Sequence, residues 1–305
     1  MERNARRRFL LATAACLAGC GGGGSSAPDT AASAPAPSPP APVAPGGPAG
    51  TVETLTVASR ALGHTMNVQV YRPPGDAHLP VLYLFHGFGG NGAAYFDAGL
   101  AINRTADRLI AAGTIAPLVI VAPDYDNGFG VNTTPAQGTL SAGGTIGLYE
   151  DYLLQEMLPA VEARLGTTVA RADRRVGGVS MGGFAALHLA LRHPDLFARV
   201  GAHSAALWDY SAADQFTGQR DWLYPTPALR AERDPLLLAT QADLRGLRFY
   251  LDVGDGDALR RQDEAMQVVL TAHGAASELH VAAGGHDATF WRSRLESWLK
   301  FYAAA

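Results

Sequence analysis

One stretch constrains this chain more than any other: Gly177-Gly178-Val179-Ser180-Met181-Gly182-Gly183. Before it, Arg174-Arg175-Val176 reads as a short buried strand. After it, Phe184, Leu187 and Leu191 recur at helical spacing until His193-Pro194 stops the helix. A strand that turns into a helix this abruptly needs backbone positions that side chains obstruct, and glycines on both sides of Ser180 remove the obstruction. The G-x-S-x-G spacing from Gly178 to Gly182 then holds the Ser180 hydroxyl out at the top of a sheet, where a nucleophile would stand. A tight structural turn is the competing reading, and the strand before and helix after favour the nucleophile.

The rest of the chain supplies a sheet for that turn. Thr51 to Tyr71 carries alternating apolar residues, Val52, Leu55 and Val57 and then Met66, Val68 and Val70, as two antiparallel strands would. Pro80 to Phe85 and Leu118 to Ala122 are continuous apolar runs, the pattern of strands buried on both faces. A helix is expected from about Ala98 to Ala112 and another from Tyr149 to Leu165. Further strands are expected at Phe197 to Ala202, Leu247 to Val253 and Glu278 to Val281, with helices at Arg260 to His273 and Asp287 to Tyr302. Strands alternating with helices imply an α/β class fold: a mainly parallel central sheet with helices on both faces. Asn127 to Gly147 reads as a long loop, and Ser204 to Leu244 as an irregular segment covering one side of the site, with Trp208, Tyr210, Phe216, Trp222 and Tyr224 among polar residues. Those aromatics form either a platform for a ligand or the packing of a cover.

The N-terminus is of another kind. Arg3, Arg6, Arg7 and Arg8 precede an apolar run from Phe9 to Ala18, too short to span a bilayer, so residues 1–20 read as an export signal. Leu17-Ala18-Gly19-Cys20 resembles a lipobox, in which Cys20 would become the lipidated first residue, and Arg7-Arg8-Phe9-Leu10 resembles a twin-arginine signal. Residues 21–50 are Gly, Ser, Ala and Pro with almost nothing large to bury, a tether to a folded domain spanning 51–305. On this reading the membrane is touched only through the lipid anchor. Both cysteines, Cys16 and Cys20, lie in the signal, so the domain has neither disulfide nor thiol chemistry. Cleavage before Cys20 removes four arginines and Glu2, taking the net charge from −4 to −7. An acidic domain with Lys300 as its single lysine argues against nucleic acid as a partner.

A serine hydroxyl is a weak nucleophile near neutral pH and needs a general base, commonly a histidine oriented by a carboxylate. His286, in the loop Gly284-Gly285-His286-Asp287 between the final strand and final helix, is placed to reach back over the turn, whereas His188 sits on a helix and reads as packed. The strand Phe249 to Val253 ends in Gly254-Asp255-Gly256-Asp257, offering three acids. Asp252 lies within the strand; Asp257 ranks first and Asp255 second, because both stand beyond the strand's carboxyl end, where sites in such sheets gather. A calcium loop is excluded by the missing later glutamate, and neither a metal nor an organic cofactor is needed. Attack on an acyl carbon also requires N–H donors for the oxyanion. Met181, following the nucleophile, supplies one and the turn His86-Gly87-Phe88-Gly89-Gly90 the other.

His86-Gly87-Phe88-Gly89-Gly90, Tyr149-Glu150-Asp151-Tyr152, Gly178-Val179-Ser180-Met181-Gly182-Gly183, Gly254-Asp255-Gly256-Asp257 and Gly285-His286-Asp287 together resemble the esterase D and antigen 85 family of α/β-hydrolases. That family includes feruloyl and acetylxylan esterases, S-formylglutathione hydrolases and mycolyltransferases. The resemblance covers nearly all of Thr51 to Ala305. It implies an α/β-hydrolase fold, a triad of Ser180, Asp257 and His286, and an oxyanion hole from the amides of Phe88 and Met181. It also implies action on a small-molecule or carbohydrate ester through an acyl-serine. Transfer of the acyl group to a sugar, and a non-catalytic surface-binding module, are the alternatives.

Overall fold

The computed structural model describes residues 48–75, 78–137, 143–166, 168–210 and 217–304. The export segment, Cys20 and nearly all of the tether lie outside them. Among the described residues eight strands are found: β1 (Thr51–Ala58), β2 (Thr65–Arg72), β3 (Val81–Phe85), β4 (Val119–Pro123), β5 (Arg174–Val179), β6 (Arg199–His203), β7 (Arg248–Gly254) and β8 (Ala276–Ala282). They form one sheet in the order β1-β2-β4-β3-β5-β6-β7-β8. β1 and β2 pair antiparallel, as does β2 with β4, and every pairing from β4 to β8 is parallel.

Alternation along the central strands sorts the core into two layers. Val81, Tyr83 and Phe85 of β3 pack on one face with Phe184 and Leu187 of the helix Met181–Arg192 and Met266 of the helix Arg260–Ala272. Leu82 and Leu84 point the other way, into Ile102 and Leu109 of the helix Ile102–Ala111 and Leu295, Trp298 and Leu299 of the helix Ala288–Ala303. Each such side chain contributes roughly 1.5–3 kcal/mol on burial, so the two layers hold helices to both faces as the sequence pattern requires. The edge strands β1 and β8 alternate between exposed and partly buried positions, as strands covered on one side do.

One contact sets the spacing of the sheet's centre. The Tyr302 hydroxyl, on the last turn of the final helix, lies against Gly177 of β5 and Gly201 of β6, and a Cβ at either glycine would occupy the same space. The helix therefore sits close beneath the strand that carries Ser180.

Three expectations are adjusted. The first helix begins at Ile102 and not near Ala98, because the Asp97 carboxylate accepts the Gly99 amide at 2.7 Å and Ala101 turns left-handed at φ 49°, closing a turn ahead of the helix. The helix expected over Tyr149 to Leu165 forms, but Tyr152–Met157 widens into a π-helical stretch. Pro159 lies just beyond and has no N–H to give a ladder, which is where such widening is tolerated. The irregular segment contains short helices, Thr217–Leu223, Pro227–Arg233 and Pro235–Leu238. Two of them start with a capping oxygen followed by proline: Thr226 accepts the Leu229 amide at 3.2 Å and Asp234 the Leu236 amide at 3.0 Å.

Candidate active site

The turn after β5 is strained in the way its glycines permit. Ser180 adopts φ 55° and ψ −116°, outside the usual regions for a side-chain-bearing residue. It is held there from both sides: its amide donates to the His203 carbonyl at 2.9 Å, and its carbonyl accepts the Ala206 amide at 2.9 Å. A Cβ at Gly178 or Gly182 would run into the Phe85 carbonyl oxygen, so β3 and the helix Met181–Arg192 can approach only through glycine. The result lifts the Ser180 side chain above the sheet.

His286 and Asp257 meet it there. Ser180 Oγ lies 2.9 Å from His286 Nε2, and His286 Nδ1 lies 2.9 Å from Asp257 Oδ2. An ionised carboxylate can only accept, so Nδ1 carries the proton and Nε2 is left to accept from the serine hydroxyl. The other Asp257 oxygen accepts the Leu259 amide at 2.9 Å. The Asp257 side chain is fully buried and that of His286 is 28% exposed, so the acid is shielded while the imidazole edge faces the pocket. Burial works against the charge on Asp257, but hydrogen bonds from His286 and the Leu259 amide and the nearby Ser204 hydroxyl outweigh it and hold the acid below the usual carboxylate range.

The two other acids are employed elsewhere. Asp255 Oδ1 accepts the Gly284 amide at 3.1 Å, fastening the loop that carries His286. Asp252 is wholly buried, bonded to His203 Nδ1 at 2.8 Å, to the Trp298 indole at 2.6 Å and to Arg294 at 3.2 Å. Asp252 thus packs within its strand, while Asp255 and Asp257 stand on the loop beyond it.

The turn after β3 is tied down around one amide. His86 Nδ1 donates to the Gly87 carbonyl at 2.9 Å, the Gly90 amide donates to the same carbonyl at 3.0 Å, and the Gly89 amide donates to Asn127 Oδ1 at 2.7 Å. Burial keeps His86 neutral by lowering its pKa, and its Nε2 can then accept the Tyr125 amide at 3.4 Å. Among the described residues the Phe88 amide makes no hydrogen bond. The Met181 amide is the first N–H of its helix, where no intrahelical acceptor exists. Next to Phe88, a Cβ on Gly87 would lie 3.5 Å from the Ser180 Cβ. A pocket of about 440 Å³ opens over the serine, lined by Phe88, Tyr95, Leu100, Val179, Trp291 and the polar Asp97 and Gln219.

Sequence reasoning missed four residues of this neighbourhood. Ser204 and Trp291 bond each other at 3.2 Å behind the acid and base. His203 gives its carbonyl to Ser180 and its ring to Asp252. Asp263 is fully buried near Asp257, accepting the Ala205 amide at 3.2 Å, and burial together with the charge of Asp257 pushes it well above the carboxylate range, so it stays neutral beside the acid. None has a local motif. Of the aromatic segment, Trp208, Trp222 and Tyr224 are buried in packing with Phe129 and Phe184, Tyr210 is exposed and Phe216 lies outside the described residues; among the segment's described residues, Gln219 lines the pocket. No group of His, Cys, Asp and Glu able to hold a metal is found among the described residues.

Residues 59–302 match a family model described as "Putative esterase". Among curated proteins, an endo-1,4-beta-xylanase/feruloyl esterase of Xylanibacter ruminicola is 28% identical over 167 residues, covering 52% of this chain and 22% of its own length. The iron(III) salmochelin esterase of Escherichia coli is 26% identical over 252 residues, covering 80% of this chain and 56% of its own length. The chain thus spans well under two thirds of these relatives. Among solved structures, a ferulic acid esterase superposes with a TM-score of 0.69 at 26% identity, covering 84% of this chain and 98% of that one. An S-formylglutathione hydrolase from Agrobacterium tumefaciens superposes with a TM-score of 0.64 at 23% identity, covering 83% of this chain and 95% of that one, a likeness of fold.

Proposed function

The chain belongs to this esterase family, with an α/β-hydrolase fold, and on that premise we propose that it is a serine carboxylic-ester hydrolase working through an acyl-enzyme on Ser180. The observation that carries this reading is the unbroken relay from Ser180 Oγ through His286 to Asp257, with both contacts at 2.9 Å. His286 Nε2 takes the hydroxyl proton as Oγ attacks the ester carbonyl. The oxyanion that forms is met by the amides of Phe88 and Met181, and each such donor is worth about 10²–10³ in kcat. The tetrahedral adduct collapses as His286 passes its proton to the departing alcohol. Water then enters, gives a proton to His286 and attacks the acyl carbon, and the acid leaves with Ser180 restored. Asp257 keeps the imidazole in the tautomer this cycle needs and balances its charge when protonated. The test is hydrolysis of p-nitrophenyl acetate by the purified protein. Turnover by wild type and its loss in Ser180→Ala are expected; an inactive wild type, or an active Ser180→Ala, refutes the reading.

The substrate follows from the pocket and from the names of the relatives. A pocket of about 440 Å³ walled by Phe88, Tyr95, Leu100 and Trp291 suits a short or aromatic acyl group, and Asp97 and Gln219 at its polar side suit a hydroxyl-rich alcohol. Acyl esters of carbohydrates or phenolic acids fit both. A panel of acetyl, feruloyl and long-chain acyl esters checks this, and a preference for long chains overturns it.

The N-terminal segment, which lies outside the described residues, supports a site outside the cytoplasm. Among the described residues no helix is long and apolar enough to cross a membrane. We assign export as a lipoprotein cleaved before Cys20, anchored through that residue. Mass spectrometry of the mature N-terminus should find a lipidated Cys20; an unmodified terminus or another cleavage site overturns the assignment.

A further inference from the structure

Behind the proposed triad stands a residue that no motif announces. Ser204 follows β6 directly, is wholly buried and has φ 49°, a left-handed conformation uncommon for a residue with a side chain. Its amide donates to the Asp252 carbonyl at 2.7 Å, extending the pairing of β6 with β7 by one step. The turn aims the Ser204 hydroxyl into the space between the acid loop and the final helix. There Oγ accepts the Trp291 indole N–H at 3.2 Å. Its own proton is free to point at the Asp257 carboxylate, whose charged form the hydroxyl favours.

Trp291 in turn touches the base. Its ring stands edge to face against His286, with centroids 5.3 Å apart at 83°, and it lines the pocket over Ser180. An imidazole held by one hydrogen bond to a carboxylate can still rock about that bond; a ring packed at right angles limits the rocking. Ser204 anchors that ring through the indole nitrogen and steadies the acid through its hydroxyl. A small displacement of His286 would matter, since misplacement of a reacting group by about 1 Å can lower the rate about 10²-fold.

We infer that Ser204 is a positioning residue for both the acid and the base of this site, acting on His286 through Trp291 and through Asp257. This rests on the esterase reading above, and it adds a side chain that never meets substrate. The polar groups facing Ser204 are Trp291, Asp257 and, beyond the Ala205 amide, Asp263, so the hydroxyl has one acceptor and one donor to serve. The left-handed backbone explains why a bulkier hydroxyl residue is a poor substitute, as a β-branched side chain is strained there.

The test uses the purified protein and p-nitrophenyl acetate, with Ser204→Ala, Ser204→Gly and Trp291→Phe compared with wild type. Both Ser204 variants lose the hydroxyl, while glycine also relieves the positive φ, so their melting temperatures should differ with glycine the higher. The expected result is an equal fall in kcat of about 10- to 100-fold for both, with KM within about two-fold of wild type. Trp291→Phe keeps the ring edge and loses the N–H, and should fall less, by about three- to ten-fold in kcat. Wild-type kcat in both Ser204 variants overturns the inference while leaving the esterase reading intact. So does a loss that follows melting temperature, with alanine impaired and glycine normal, because that is the signature of a structural role. An inactive wild type removes the esterase reading and this inference with it.

Discussion

The Nδ1 of His286 lies 2.9 Å from Asp257 Oδ2, across a loop closed by Asp255 and Gly284 at 3.1 Å, so two acids two residues apart do different work on the same histidine. Asp257 faces the ring from a fully buried position, and Asp255 holds the backbone of the loop from an exposed one. Asp257→Asn replaces an acceptor by a group that can donate, favouring the wrong imidazole tautomer. Its kcat on p-nitrophenyl acetate should fall by about 10³–10⁴. Asp255→Asn keeps an oxygen able to accept the Gly284 amide, so its kcat should fall less than about ten-fold. A larger loss at Asp255 than at Asp257 reverses the assignment.

The elbow permits no side chain at its second flanking glycine. A methyl at Gly182 would meet the Phe85 carbonyl, a backbone atom of a central strand that cannot swing aside. Gly182→Ala should therefore lower stability by about 3 kcal/mol or more, in the range of overpacked cores, and displace Ser180 from His286. Denaturant melts and turnover measured together check this. A variant with wild-type midpoint and activity would show that the sheet can yield there.

How legible was all this in the chain? β3 and β4 were readable because residues buried on both faces leave an uninterrupted apolar run, and the turn at Ser180 because its glycines sit where backbone meets backbone. Asp257 and His286 were readable as residues on loops at strand ends. Ser204, Trp291, His203 and Asp263 were not, since their roles arise only when β6, β7 and the last two helices come side by side, with Ser204 and Trp291 87 residues apart. The short helices at Pro227 and Pro235 had a local signal in Thr226-Pro227 and Asp234-Pro235, which the absence of apolar periodicity obscured. Too few turns exist there for a period to show.

Tyr302 offers a change in stability separable from chemistry. Its hydroxyl bonds His203 Nε2 at 3.0 Å and fills the gap above Gly177 and Gly201. Tyr302→Phe leaves a buried imidazole nitrogen without a partner and a small void, together worth about 1–3 kcal/mol. Ser180 keeps its own bonds to His203 and Ala206 through backbone atoms, so kcat should stay within about three-fold of wild type. Equal stability in urea would show that the hydroxyl is a bystander.

Glu150, which does not line the pocket, makes the structure sensitive to acid. Its carboxylate is nearly buried and accepts from His193 at 2.7 Å, Arg192 at 3.1 Å and His188 at 3.3 Å, while Arg233, whose carbonyl meets His188 Nδ1 at 3.1 Å, reaches the carbonyls of Leu223 and Asn132. Glu150 thus ties its own helix to the elbow helix, and Arg233 links that helix onward to the covering segment and the long loop. Burial disfavours the Glu150 charge, but the bonds from His188 and His193 and the charge of Arg192 outweigh it and hold the acid well below its ordinary range. A carboxylate lowered on folding contributes stability that is complete above its unfolded pKa and is lost as pH falls through the folded value. Burial lowers the His188 pKa as well, so the folded state resists a proton that the unfolded chain takes up below about pH 6.5, and this contribution also fades as pH falls. Both therefore act in the same direction. Melting temperature should decline from about pH 6.5 downward. Glu150→Gln should lower it by several degrees at pH 7, as loss of a buried charged acceptor costs about 1.5–3 kcal/mol, and should remove the part of the decline that falls below about pH 4.5, the ordinary range of a glutamate. Thermal melts from pH 2 to pH 8 on both proteins read this directly, and parallel curves below about pH 4.5 would show that the acid sensitivity there arises elsewhere.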